Sequence, residues 1–246
     1  MATDKLSANG FRLHKMHHLL WSFAFLLPFS TMGQTTDIQT VIRVLPCFEQ
    51  KVIVPNGPIR TASGDSLAFH ALRIYLSNVV FYKNGMAVFT EKDSHHLLDI
   101  EEPGTLDLQF SIPANLIYDE IAFDVGIDSL THALGAMGGD LDPTKGMFWG
   151  WQGGYINIKI EGFYSKCITR KHEFQFHLGG YLPPFPTLQS VRLAVPLNSK
   201  TPLIMLELSP FLAQIDWSHD PNIMAPCLVA KVFSKIIAQS FQIHAQ

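Results

Sequence analysis

The chain has 246 residues, of which 47% are hydrophobic and 16% charged, and a formal net charge of -3. That composition excludes a disordered chain and gives enough length for one large β domain with a real core. Lys and Arg are scattered without a basic stripe, which excludes the electrostatic footprint of a nucleic-acid binder.

The first element is the apolar run Leu19 to Phe29, LLWSFAFLLPF, the length of a signal-peptide core and too short to span a bilayer. Arg12 and Lys15 precede it, and Ser30, Thr31 and Gly33 follow. Residues 1–33 are therefore read as a signal peptide cleaved near Gly33 or Gln34, and 34–246 as one mature domain. Met16 is an alternative start, although it leaves only His17 and His18 as positive charge before the apolar run. No cysteine follows to carry a lipid anchor, and no later window is apolar enough for a transmembrane helix. The expected location is periplasmic or secreted.

Strand-like runs then recur: Val41 to Leu45, Leu67 to Phe81, Met86 to Phe89, His96 to Ile100, Thr105 to Ile112, Ile121 to Ile127, Gly154 to Glu161, Glu173 to Leu178, Val191 to Pro196 and Pro202 to Leu208. Many alternate with period two. From Tyr155 to Glu161 the isoleucines fall on one face and the polar residues on the other, as in a half-buried antiparallel strand. Turn formers separate the runs, among them Pro55-Asn56-Gly57-Pro58, Lys83-Asn84-Gly85 and Glu102-Pro103-Gly104. The pattern predicts an all-β fold, a β-sandwich of antiparallel strands. Two helices interrupt it. A short one over Ser129 to Met137, capped by Asp128 or Ser129, enters the tryptophan loop. A C-terminal helix over Cys227 to Phe241 sets Val229, Val232, Phe233, Ile236, Ile237 and Phe241 at helical spacing.

The densest concentration of unusual residues is Gly135 to Gly162, which places Trp149 and Trp151 between glycine clusters ahead of a strand. Interior glycines mark bends or close backbone approach, so the loop presents its aromatics in a fixed shape. The plainer account makes both tryptophans core or rim residues. His177 alternates with Gln175, away from the apolar face of Phe174, Phe176 and Leu178. Imidazole is a good ligand for copper or zinc, and the possible companions are His70, His95, His96, His132, His172 and His219. His132 draws interest because its segment leads into the tryptophan loop. Asp124, Asp128, Asp140 and Asp142 could bind calcium, but turn capping is the favoured account. Cys47, Cys167 and Cys227 lack Cys-x-x-Cys spacing and are expected to be structural, with at most one disulfide. No nucleophile elbow, phosphate loop or His-Glu-x-x-His helix is present, and the adjacent Glu101 and Glu102 make a poor glycosidase pair. A non-enzymatic role is expected.

Five ordered blocks resemble the MbnP-like copper-binding family: Leu72 to Val79, His96 to Ile100, Phe123 to Asp128, Gly146 to Gly162, and Phe176 to Gly179. The mature protein is separately expected to be a monomer, and the resemblance implies a secreted or periplasmic β-sandwich that binds copper. It further implies a metal held by histidines and by a tryptophan that a partner di-haem peroxidase-like enzyme oxidises to kynurenine. Carried over by residue, it reaches Trp149, Trp151 and His177. Where copper-binding members often show histidines before the Gly-Met-aromatic-Trp run, this chain reads Asp142-Pro143-Thr144-Lys145, so the second histidine stays unassigned. The expected metal residues are His177, Trp149, Trp151 and His132. The alternative is a metal-free interaction module that binds a glycan, peptide or protein through exposed aromatics.

Overall fold

The structure, a computed structural model, describes residues 36–151, 154–196, 202–219 and 221–244. The expected signal peptide over 1–33 lies outside the described residues. In chain order the strands are β1 (Asp37–Phe48), β2 (Lys51–Val52), β3 (Ile59–Arg60), β4 (Ser66–Lys83), β5 (Met86–Thr90), β6 (His95–Asp99), β7 (Asp107–Pro113), β8 (Glu120–Val125), β9 (Phe148–Trp149), β10 (Gly154–Tyr164), β11 (Glu173–Gly179), β12 (Gln189–Ala194), β13 (Leu203–Glu207) and β14 (Phe241–His244). The helices are α1 (Ser129–Leu134), α2 (Ser209–Leu212) and α3 (Leu228–Ala238).

Two sheets face each other. The first runs β14-β13-β1, with β2 and β7 also paired to β1. The second runs β11-β10-β4-β8-β12, with β3, β5 and β6 on β4 and β9 on β10. Pairing is antiparallel except between β1 and β13, which run parallel from Arg43↔Leu203 to Cys47↔Glu207. Ile42, Val44, Phe110, Ile204 and Leu206 of the first sheet meet Leu72, Ile74, Phe123, Ile158 and Phe176 of the second in one apolar core.

β4 organises the second sheet because its inward positions change phase twice. Leu67 and Phe69 face the core, then Leu72, Ile74 and Leu76, then Val79 and Phe81. Each slip coincides with an irregularity in pairing, one opposite Glu161 and Gly162 and one around Asn78, whose φ is +54°. Bulges of this kind insert a residue and bend the strand. The bends let one strand pair β10 along Leu67 to Ile74 and then β8 along Leu76 to Tyr82.

The C-terminal segment corrects the expectation from spacing. α3 ends at Ala238 and Phe241 opens β14 instead of extending the helix. Val229 and Val232, expected inside, are 47% and 46% exposed. The buried stripe is Ala230, Phe233, Ser234, Ile237 and Ala238. Aromatic packing chooses it, since Phe233 lies edge-on to Phe176 at 5.9 Å and to Phe211 at 5.2 Å. The short α1 starts as expected, with the Asp128 carboxylate accepting from the amides of Leu130 and Thr131. All three cysteines are unpaired.

Candidate functional site around Trp149 and His177

The segment between β8 and β10 folds back over the outer face of the second sheet. There Tyr75, Leu97, Ile127, Leu141, Met147, Trp149, Tyr155 and Ile156 make a smaller core of their own. Strand alternation explains its place, because Tyr75 points away from the face that Ile74 and Leu76 present to the main core. The Tyr155 hydroxyl accepts from the Met137 amide at 3.1 Å and lies 3.0 Å from the Gly135 carbonyl, to which it donates. Tyr75 donates to the Asp140 carbonyl at 2.9 Å. Burial raises the pKa of both phenols, so both stay protonated and keep the loop tied down. Asp142 closes a turn, as expected, by accepting from the Thr144 amide and hydroxyl, whereas Asp140 caps no turn and instead ties the loop to β6 by accepting from the Leu97 amide and from Lys145.

The two tryptophans part company. Trp149 is 6% exposed and Trp151 is 69% exposed, with ring centroids 5.7 Å apart. The six-membered ring of Trp149 lies over Gly179, where an added Cβ would stand 2.7 Å from Cζ3 and 2.8 Å from Cη2. Only a residue without a side chain admits that approach. Gly179 is two positions beyond His177 on β11, so Trp149 covers the next place along on the same face as the imidazole.

His177 is 7% exposed, and its Nε2 lies 2.6 Å from Oε1 of Glu161 on the neighbouring β10. Lys159, directly opposite His177 in the ladder, reaches the same carboxylate oxygen at 3.4 Å. The hydrogen bond from His177, with help from the Lys159 charge, holds the Glu161 carboxyl below the usual carboxylate range. An ionised carboxylate is acceptor-only, so Nε2 carries the proton and, in the neutral ring, Nδ1 carries the lone pair. A metal-binding histidine is generally oriented this way, its other ring N–H given to a carboxylate.

His132 has the opposite arrangement. Its Nδ1 accepts from the Tyr155 amide at 3.0 Å, its ring stacks on Tyr181 at 4.6 Å, and it is 1% exposed. Nε2 is buried without a hydrogen-bond partner. Burial pushes the pKa down to about 4, so the ring is neutral at pH 7. With the Nδ1 lone pair committed to an amide, the proton must sit on Nε2, and neither nitrogen has a pair to give a metal. In this arrangement His132 packs the loop against Gly154, the ladder partner of Trp149.

Other histidines are engaged elsewhere: His96 with Glu91, His172 with the Cys167 carbonyl, and His219 with Asp216. Among the described residues no three His, Cys, Asp or Glu side chains gather as a metal cluster. Thus the structure brings Trp149 beside the strand face of His177, leaves Trp151 outside, and turns His132 inward. Glu161 and Lys159 were not foreseen as part of the site. Alternation had put them on the polar face of β10, but only the register with β11 shows which residue they meet.

The MbnP family model matches residues 38–225. The solved structure of MbnP from Methylosinus trichosporium superposes with a TM-score of 0.59, covering 78% of this chain and 83% of that one at 17% identity. At that identity the likeness is one of fold. No curated protein matches the chain.

Proposed function

Since the chain belongs to the MbnP family, we propose that it is an exported, non-enzymatic copper-binding protein that holds the metal through Nδ1 of His177. The observation that carries the reading is the 2.6 Å contact from Nε2 of His177 to Glu161, which leaves the other ring nitrogen as the donor. Imidazole suits copper, so His177 fits the metal, whereas His132 in its present tautomer does not. An intact indole is a hydrogen-bond donor without a ligating lone pair. Trp149 would contribute fully after oxidation to kynurenine, whose amine and carbonyl are both donors, and this assigns a role to a di-haem peroxidase-like partner enzyme. The protein acts as a monomer in this proposal.

The test is copper analysis and peptide mass mapping of protein from its native host, followed by titration of the wild type and His177→Ala. Bound copper that is lost in His177→Ala supports the proposal, and kynurenine at Trp149 supports its second part. Native-host protein that is free of copper and indifferent to His177→Ala would refute it. One observation favours a second reading, a metal-free interaction module. Leu130, Leu134, Trp151 and Leu182 are each more than 60% exposed, and residues 129–139, 146–158 and 174–191 contain no Asp, Glu, Lys or Arg.

A further inference from the structure

A cavity of 370 Å³ opens where one end of the first sheet meets the second, and it shares no residue with the tryptophan site. Its floor is core, with Leu67 only 2% exposed, and its walls are the partly exposed rings of Tyr164 and Trp217. Those rings stand 4.6 Å apart, and Trp217 is braced from behind by Phe174 at 5.4 Å. Hydroxyl and carboxylate groups rim the opening, chiefly Glu49, Thr61 and Ser209, with Lys166 beside them.

The rim is unusually well fixed. Glu49 and Gln50 are consecutive non-glycine residues at φ +47° and +62°, a left-handed pair that tight hairpins ordinarily give to Asn and Gly. Glu207 holds the turn by accepting from both amides, at 3.1 and 3.0 Å. Strain of this kind persists where surrounding contacts over-determine it, and it clusters at ligand sites. The lysine at the rim is already paired within the protein, whereas the Glu49 carboxylate is met by a backbone amide. Both Glu49 carboxylate oxygens accept from the Ala62 amide, and Lys166 pairs with Asp65 at 2.7 Å. An anionic ligand therefore meets a lysine that is already paired and a carboxylate that repels it. Ser209 accepts from the Glu49 amide and donates to Glu207, and Thr61 accepts from the Asp65 amide and donates to Ser63, so each hydroxyl keeps one acceptor lone pair next to the two aromatic walls.

We propose that this cavity is a saccharide subsite that takes a neutral sugar ring against Trp217 and Tyr164, with its hydroxyls meeting Thr61, Ser209 and Glu49. The volume lies at the small end of ligand cavities, which fits one or two rings. The site is independent of copper.

The test titrates isotope-labelled protein with cellobiose, maltose and chitobiose, each to tens of millimolar, with glucuronate and N-acetyl-phenylalanine amide as contrasts. At least one neutral disaccharide should give saturable shifts at the Trp217 indole N–H and at Ser209. Trp217→Ala should weaken binding by about tenfold or more. Thr61→Val leaves the aromatic packing intact and should weaken binding severalfold, which keeps the test decisive if Trp217→Ala does not fold. Absence of saturable shifts with all three disaccharides overturns the proposal. So do shifts centred on Trp151, tighter binding of glucuronate, or binding of the phenylalanine derivative alone.

Discussion

Gly179→Ala tests the arrangement of the candidate site most directly. The new Cβ would lie 2.7 to 2.8 Å from two ring carbons of Trp149 and 2.8 Å from the Tyr155 carbonyl oxygen. That carbonyl belongs to the β10 ladder and cannot retreat far, so the indole must move. Overpacking costs about 1–3 kcal/mol. If half of a buried tryptophan's roughly 200 Å² returns to water, about 2.5 kcal/mol more is lost at 25 cal/mol per Å². A total of about 3.5–5.5 kcal/mol should lower the melting temperature by roughly 7–22 °C in a domain of this size. Emission from Trp149 should shift to the red as its ring is wetted. Because the ring leaves the neighbourhood of His177, copper affinity should fall in parallel. Urea and thermal unfolding of Gly179→Ala, Trp149→Leu and the double variant measure the coupling, expected at about 1 kcal/mol or more. If Gly179→Ala melts within about 1 °C of the wild type, the indole does not rest on that glycine and the argument fails.

Glu161→Gln should weaken copper binding by about 10- to 100-fold and shift His177 toward the Nδ1–H tautomer in long-range proton–nitrogen spectra; an unchanged tautomer would count against the orienting role. Glu161 has a depressed pKa, so its contribution to stability is present above the ordinary carboxylate range and is lost as pH falls through the lower folded value; Glu161→Gln should flatten that acid limb in pH-dependent melting. His132, although a base, acts in the same direction. Its folded pKa is about 4 against an ordinary 6.5, so the unfolded chain binds the proton first and stability falls as pH drops from 6.5 toward 4, by about 3 kcal/mol or less. His132→Gln should remove that slope, and a slope that persists would assign it to another group. Maleimide labelling under native, non-reducing conditions should modify Cys227 first, because Cys47 and Cys167 are buried and burial pushes the Cys47 thiol up to about 12. Recovery of a disulfide peptide would contradict the three free thiols.

Period-two alternation made β7 and β8 legible in the sequence, because one face of each meets the core and the other does not, and it also marked β4, β10 and β11, whose outer faces are covered only in part by the tryptophan loop. It failed for α3 because Val229, Val232, Phe233, Ile236 and Ile237 form a stripe as regular as the true one. The choice between stripes was made by Phe176 and Phe211, far away in sequence. The glycine-framed tryptophans marked the correct loop but not its internal order. Trp149 goes under and Trp151 stays out because β9 pairs with β10 for only two residues, Phe148 and Trp149. Ligand competence was the least visible property. His132 and His177 are equivalent in one-letter code, and what separates them is an amide from Tyr155 in one case and a carboxylate from Glu161 in the other.

The parallel pairing of β1 with β13 also governs the order in which the molecule can form. Chain emerges from a ribosome or a translocation pore N-terminus first, yet Arg43 finds its partner Leu203 only after nearly the whole domain has appeared. β14, which closes the same sheet, comes later still. Non-local strand pairing of this kind is slow, because loop-closure entropy is lost before the contacts repay it. The first strand must therefore wait with one edge unpaired while the second sheet is made around β4. Protease resistance of β1 is therefore expected only once β13 has been made. Truncation before β13 should leave material that is digested throughout, including β1.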